Sequence, residues 1–534
     1  MKVTWMKRAA LAAATAVVAA TLAAAPGAAW AAGTTYYVDA VSGSDSASGT
    51  SPSTPWQSLA KVNATTFAAG DQILFHTDQT WVGQLAPKGS GAAGNPIVIS
   101  DYGTGALPKF DGTPISRGGT VYLHNQGYWT IQNLDVSSPS TTAFPTGRER
   151  MGIFVNNDGG NTLKGITIQN NHVHDVNGCW DCSGPLDGHD NGGIVVGADV
   201  YTVLSLNSNS YDGVQILNNT VDHVGRTGII FEDISSGLYL LVDTYRISHN
   251  VTISGNHISQ TDGDGITVRG AQNVMIDHNV VAGAGQKTYG TTEPTTAGIW
   301  VAKTIDATMQ YNEASGTKVQ VGDGQGYDVD LSSTNTTVQY NYSHDNEGGF
   351  LLLMWGSLDQ GKNVIVRDNL SVNDGVLADG SSVTGVFSFS YGVKPNTDIY
   401  NNTVYVAPGL ASKIFSCISC QVSSAWSFRN NIVANYGTGG YAYPTAGATI
   451  DSNTFHGNHP STEPADAHKS TADPQFVAPT PTAPYSVAGF KVASTSPAVG
   501  SGVLIASNGG KDYFGNTVSS TQPPTRGFFE AQAF

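Results

Sequence analysis

Five acids crowd a stretch of a chain that is otherwise poor in charge: Asp323, Asp328, Asp330, Asp345 and Glu347. Two more, Asp262 and Asp264, precede them in Thr261-Asp-Gly-Asp-Gly265. Only 12% of the residues are charged, so this crowding stands out from the background. Paired carboxyls suit carbohydrate chemistry. One protonates a leaving oxygen, and the other attacks an anomeric carbon or activates water. Crowding helps, because like charges resist joint ionisation and keep at least one carboxyl protonated. Asp264, Asp328, Asp330 and Glu347 are the candidate catalytic acids. Trp300 offers an indole face for the apolar side of a sugar ring. Glu232, Arg269 and His344 are the candidate polar contacts to the substrate. Two plainer readings stand beside this one. A single turn acid often just holds backbone amides, and a cluster of carboxylates is also a ligand set for Ca²⁺. Beyond that option no cofactor and no other metal ligand set is assigned.

The elements that must position these residues come from a repeat. Alternating β-branched residues followed by a polar pair ending in Asn recur as Ile166-Thr-Ile-Gln-Asn-Asn171, Val214-Gln-Ile-Leu-Asn-Asn219, Val251-Thr-Ile-Ser-Gly-Asn256 and Val274-Met-Ile-Asp-His-Asn279. The series starts at Asn133 and runs on through Asn312, Asn341, Asn369 and Asn402 to Asn431. Asn tolerates the left-handed backbone angles of a sharp bend, and stacked Asn side chains can form amide ladders. A second motif alternates with the first: Gly193-Ile-Val-Val196, Gly228-Ile-Ile-Phe231, Gly265-Ile-Thr-Val268, Gly298-Ile-Trp-Val301 and Gly326-Tyr-Asp-Val329. A short third strand follows each Asn. Three strands per repeat, with loops of varying size between them, predict an all-β right-handed parallel β-helix. A propeller blade would not carry an Asn corner in every unit.

In such a solenoid the inside is filled, so chemistry belongs on an outer face, with neighbouring coils ~4.8 Å apart. With Ile and Val pointing in, one outward column reads Phe154, Val195, Ile230, Thr267, Trp300, Asp328, Leu351. The next reads Asn156, Gly197, Glu232, Arg269, Ala302, Asp330, Leu353. Asp328 and Glu347, on adjacent coils, are expected near the roughly 5–5.5 Å of a retaining pair. Asp264 and Asp328, two coils apart, are expected nearer the roughly 6.5–9.5 Å of an inverting pair. Insertions at 235–247 and 286–297 are expected to wall the groove.

Residues 1–32 read as a secretory signal peptide cleaved near Ala31–Ala32: Lys2, Lys7 and Arg8, then an Ala-rich apolar run broken at Pro26-Gly27. Losing three cations and no acid takes the net charge from −16 to −19. A chain this acidic does not suit phosphate neutralisation, so nucleic acid is not an expected partner. No later segment is apolar enough to suggest a membrane partner. A monomer acting on a carbohydrate polymer or oligosaccharide is expected. Residues 33–135 are assigned to an N-terminal cap and first coils, 136–457 to the helix, and 458–534 to a closing segment. Export makes disulfides the default for the two Cys-x-x-Cys pairs, Cys179 with Cys182 and Cys417 with Cys420.

The opening Tyr36-Tyr-Val-Asp39, Gly43-Ser-Asp45, Pro55-Trp-Gln-Ser-Leu59 and Gly70-Asp-Gln-Ile-Leu-Phe75 resembles secreted bacterial β-helix proteins of the pectate-lyase-like superfamily. Gly322-Asp-Gly-Gln-Gly-Tyr-Asp-Val-Asp330 and Gln339-Tyr-Asn-Tyr-Ser-His-Asp-Asn-Glu-Gly-Gly-Phe350 resemble its β-helix hydrolases of the fucosidase and xylanase type. The resemblance implies a secreted glycoside hydrolase. A Ca²⁺-dependent polysaccharide lyase, with Arg269 or Lys303 as base, is the second reading. A carbohydrate-binding solenoid without catalysis is the third.

Overall fold

The computed structural model describes residues 33–140, 149–179, 189–198, 209–233, 248–287 and 296–533, apart from residues 321, 357–358, 423 and 445. The expected signal peptide, Cys182 and most of both expected groove walls lie outside the described residues.

The chain is a right-handed parallel β-helix. Among the described residues it forms three parallel sheets of 14, 13 and 10 strands. From strand Gly118–His124 to strand Lys413–Val422 each coil gives one strand to each sheet: Arg150–Asn157 to the third, Thr162–Gln169 to the first and His172–Val176 to the second, before Gly192–Ala198 returns to the third. The alternation read from the sequence explains this. Ile194 lies against Ile153 and Ile229, and Val196 against Val155 and Phe231, so β-branched and aromatic side chains stack in files down the interior. All of these are fully buried.

The recurrent Asn residues form one continuous corner between the first and second sheets. The backbone N–H and Nδ2 of Asn219 both donate to Oδ1 of Asn256, at 2.9 and 2.9 Å. The same pair of bonds joins Asn256 to Asn279, Asn279 to Asn312 and Asn312 to Asn341. The ladder runs from Asn171 to Asn453, where the Asp466 carboxylate accepts the last two donors. Two details differ from expectation. The left-handed backbone belongs to the residue before each ladder Asn, such as Asn218 (φ 54°), His278 (φ 54°) and Tyr311 (φ 53°). Asn133 is itself one of these left-handed residues, and Leu134 takes the ladder position in its coil. The ladder Asn is therefore selected by its amide, which satisfies buried backbone groups from coil to coil.

The expected outward file also needs correcting at its far end. Gly349 lies opposite Gln325 and not Gly326. This slip of one residue turns Leu351 and Leu353 into the core and sets Leu352 beside Asp328. The paired glycines Gly348-Gly349 absorb the extra residue at the corner.

The stack starts with strand Thr35–Val38, which pairs with Gln72–His76. The short helix Leu59–Ala64 buries Leu59 and Val62 in the same core. The last strand is Thr454–Gly457, after which the chain folds back along the helix. Phe490 and Phe528 pack on Tyr342, Leu370 and Tyr405 of the second sheet, and Tyr485 donates to Asp345 at 2.7 Å. The closing segment thus covers an outer face over several coils. Cys417 and Cys420 are bonded, with Cα atoms 5.6 Å apart, inside strand Lys413–Val422 of the third sheet.

Candidate active site

The outer face of the third sheet changes character along the stack. Its first coils are apolar: Met151, Phe154, Val195 and Ile230 form a buried cluster. The next three positions of that file are Thr267, Trp300 and Asp328, on strands Ile266–Arg269, Ile299–Ala302 and Gln325–Val329. Two residues along, the second file reads Glu232, Arg269 and Ala302, followed by Asp330 beyond the strand end. Sequence periodicity places Trp300, Asp328, Arg269 and Glu232 on this face, and the register brings them together.

Asp328 sits at the centre, 6% exposed. Burial, with the like charges of Asp330 and Asp323 nearby, pushes its carboxyl well above the usual carboxylate range, while Lys394 draws it back. Burial also raises Asp330. The backbone N–H of Leu331, which donates to it at 2.6 Å, and the charges of Lys394 and Arg269 oppose that rise. Asp330 is half-buried. Trp300 lies one coil from Asp328 in direct register, with the Arg269 guanidinium 5.9 Å from its ring and His189 edge-on at 5.7 Å. Arg269 is joined to Glu232 at 3.2 Å. Among the described residues, Thr267 Oγ1, Trp300 Nε1, Asp328 Oδ1 and both amide atoms of Gln325 are buried without a hydrogen-bond partner.

The remaining candidates are placed differently. Asp264 is buried on this face at the start of its strand. It pairs with Arg226 at 3.1 Å and accepts the Ala297 N–H at 3.0 Å. Glu347 accepts from Lys318 Nζ and from the Val319 N–H, both at 3.0 Å. Since Gly348 N–H donates to Gly324, Glu347 stands at the level of Asp323. Asp328 is three strand residues beyond Gln325, roughly 10 Å at ~3.3 Å per residue. The close pairing expected of Asp328 and Glu347 does not fit this stagger. His344 belongs to the second sheet, on strand Tyr342–His344, held by Asp345 at 2.9 Å and Glu313 at 3.3 Å. It therefore lies on a different face from Asp328, because the corner at Asn346 separates the two sheets. The register also places Lys303 just past its strand, with a left-handed backbone (φ 52°).

Three supporting residues escaped the sequence reading. Lys394 and Asp359 form a fully buried ion pair at 2.8 Å that feeds charge into the site, and no motif marks either. Arg226 was legible: it precedes Gly228 by two residues, as Asp264 precedes Gly265 by one, so adjacent coils bring them together. A separate hollow of about 590 Å³, lined by Tyr443, Ile450 and Asp466, lies at the last coil and away from these acids.

Residues 201–404 match the family model of the right handed beta helix region. A lacto-N-biosidase of Bifidobacterium longum subsp. longum is 28% identical, over 83% of this chain. The chain spans about a third, 32%, of that relative's length. A solved GH136 lacto-N-biosidase from Eubacterium ramulus superposes with a TM-score of 0.59 at 22% identity, over 78% of this chain and 67% of that one. The XylC complex with xylose superposes with a TM-score of 0.54 at 11% identity, over 93% and 98%. The two solved structures support the β-helix fold.

Proposed function

We propose that this chain is a glycoside hydrolase acting on an oligosaccharide along the outer face of the third sheet. The observation that carries the reading is the pair Asp328 and Asp330, two acids on one face, one deeply buried and the other half-buried. Asp328 keeps its proton and acts as general acid: the proton passes to the glycosidic oxygen as the bond to the anomeric carbon breaks. Asp330, with Arg269 and Lys394 favouring its charged form, supplies the carboxylate that attacks that carbon or activates water. The buried, unpaired polar atoms of Thr267, Trp300 and Gln325 fit a ligand rich in hydroxyls, since a buried polar atom left unpaired costs ~1–3 kcal/mol. Asp264 and Glu347, each held by a cation and an amide, organise the site. The similarity to lacto-N-biosidase supports hydrolysis over elimination. So does the engagement of Arg269 by Glu232, which ties up one of the two bases a lyase could use here. The reading includes export with loss of residues 1–32 and action as a monomer.

The test is a panel of aryl glycosides and oligosaccharides, with products followed by NMR. Saturated reducing sugar from the wild type, lost in Asp328→Asn and Asp330→Asn, is the expected result. Unsaturated product, no product from any glycan, or equal turnover in both variants would overturn it. Amino-terminal sequencing of protein from the culture medium checks export: a start at Met1 would refute that part.

A further inference from the structure

A second cluster, unconnected with the acids of the third sheet, lies on the second sheet near the start of the stack. Strand Asp135–Ser138 sets Asp135 directly opposite His172 of strand His172–Val176. His174 projects from the same face two residues on, since Val173 between them is buried in the core. One ligand atom from each of Asp135, His172 and His174 lies within 4.8 Å of the others. Asp135 is 3.0 Å from His174 Nε2 and 3.7 Å from His172 Nδ1. Four ligands at ~2.0–2.1 Å around a tetrahedral ion are roughly 3.3 Å from one another, so small ring rotations close the set.

The outer nitrogens of the two rings make the cluster more than an ion-pair web. His172 Nε2 bonds Asp222 at 2.8 Å, and His174 Nδ1 bonds Asp175 at 2.7 Å. Imidazoles that bind metal give their other N–H to a carboxylate in this way, which fixes tautomer and ring orientation. The alternative is a pair of imidazolium rings. These rings stack at 4.4 Å and 23°, an arrangement in which two positive charges repel. One dication between them replaces both inner protons and leaves the outer hydrogen bonds intact. The three side chains stay partly open to solvent, with exposures of 25%, 39% and 15% for Asp135, His172 and His174.

The geometry points to a divalent transition-metal site of the Zn²⁺ class, formed by Asp135, His172 and His174, with Asp222 and Asp175 orienting the rings. Two imidazoles and a carboxylate suit zinc and its neighbours, and not the all-oxygen shells of Ca²⁺ or Mg²⁺. Three protein ligands leave a fourth position for water. The site staples the Asp135 coil to the next one, in the half of the stack that precedes the third-sheet acids.

The experiment is isothermal titration of the chelator-stripped full chain with ZnSO₄, at neutral pH, alongside melting curves. One Zn²⁺ per chain and a raised Tm are expected. His172→Gln and His174→Gln should each weaken binding at least tenfold and abolish the Tm rise. Asp222→Asn should weaken binding about 10–100-fold, the range for an orienting partner. His257→Gln, a change on an exposed His elsewhere on this sheet, should leave binding unchanged. Absence of binding at micromolar Zn²⁺, or binding unaltered in the His172 and His174 variants, would overturn the proposal. Since Ca²⁺ competes poorly for such a set, displacement of Zn²⁺ by millimolar Ca²⁺ would also count against it.

Discussion

Two files of polar side chains run along this solenoid, one at the corner between the first and second sheets and one on the outer face of the third, and both are buried. In the corner ladder from Asn171 to Asn453, each amide oxygen accepts two donors and each amide nitrogen finds an acceptor. On the third-sheet face, Thr267, Trp300 and Asp328 keep buried polar atoms without partners among the described residues. One fold thus treats buried polarity in two ways. Where every group is satisfied, the polar residue serves the stack. Where the groups are left open and like charges are pressed together, stability is given up, and a ligand is the natural beneficiary.

The sharpest break of that comparison is at the acids. Asp328→Asn and Asp330→Asn should lower turnover by about 10²–10⁴-fold, the usual share of acid–base catalysis. Their melting temperatures should match or exceed the wild type, because Asp330→Asn removes a charge held beside other acids and Asp328→Asn exchanges a neutral buried acid for a neutral amide. The pH profile follows from the raised carboxyls. Activity that needs Asp328 protonated falls as pH rises through its folded pKa, and Asp328→Asn should erase that limb. A variant that loses activity and stability together would place Asp328 with the ladder.

The ladder should respond the other way. Asn312→Ala orphans the Asn279 backbone N–H and one N–H of its Nδ2, whose other N–H still bonds the Ile253 carbonyl; both groups are buried. At ~1–3 kcal/mol per lost partner, a loss of about 2–6 kcal/mol is expected. Thermal melting checks it, and turnover per folded molecule should hold. An unchanged Tm would mean that the ladder is ornament.

A smaller effect comes from Asp374, the acid at another corner. It accepts from Asn346 N–H at 3.0 Å, Asn346 Nδ2 at 2.9 Å and Ser371 at 2.7 Å, and burial still lifts it to about 6 from an unfolded value of 3.8. The folded protein therefore holds this proton more tightly than the unfolded chain. The stability it gives is present below pH 3.8 and is lost as pH rises to about 6. Two pKa units correspond to roughly 3 kcal/mol. Asp374→Asn should flatten the fall in Tm across that window, and an unchanged slope would assign the dependence to other acids.

Much of this was legible because a solenoid imposes its period on every coil. The inward files and the Asn corner must recur, so Ile194, Val196 and Asn219 declare their positions by repetition. Trp300, Asp328 and Arg269 came with the same register. The register failed at Gly348-Gly349, where a single added residue has no signature except the doubled glycine. The partners of the acids were hidden for another reason. Glu347 is held by Lys318 and Val319, 29 and 28 residues away on the neighbouring coil. Such contacts depend on loop lengths that no local pattern encodes. His344 shows the cost: three residues before Glu347 in sequence, it belongs to another sheet.

The smallest expected effect separates the two reasons a bend can want Asn. A second amide file, Asp306–Asn335–Asn363–Asn396, runs along the surface with contacts of 2.8, 2.8 and 2.9 Å. It resembles the buried ladder in spacing, yet its Asn residues have left-handed backbones, at φ 57°, 59° and 59°, with Asn335 and Asn396 exposed to water and Asn363 half-buried. Asn312 has no such angle. Water replaces a lost exposed hydrogen bond, so at the surface the side chain contributes little and the backbone preference is what matters. Asn335→Gly keeps the left-handed angle and removes the amide; it should cost less than ~1 kcal/mol. Asn335→Val, whose branched side chain disfavours that angle, should cost ~1–2 kcal/mol more. Asn312→Gly, with no angle to rescue, should fall as far as Asn312→Ala or further. Equal losses for glycine at 335 and at 312 would dissolve the distinction and make both files a single kind of ladder.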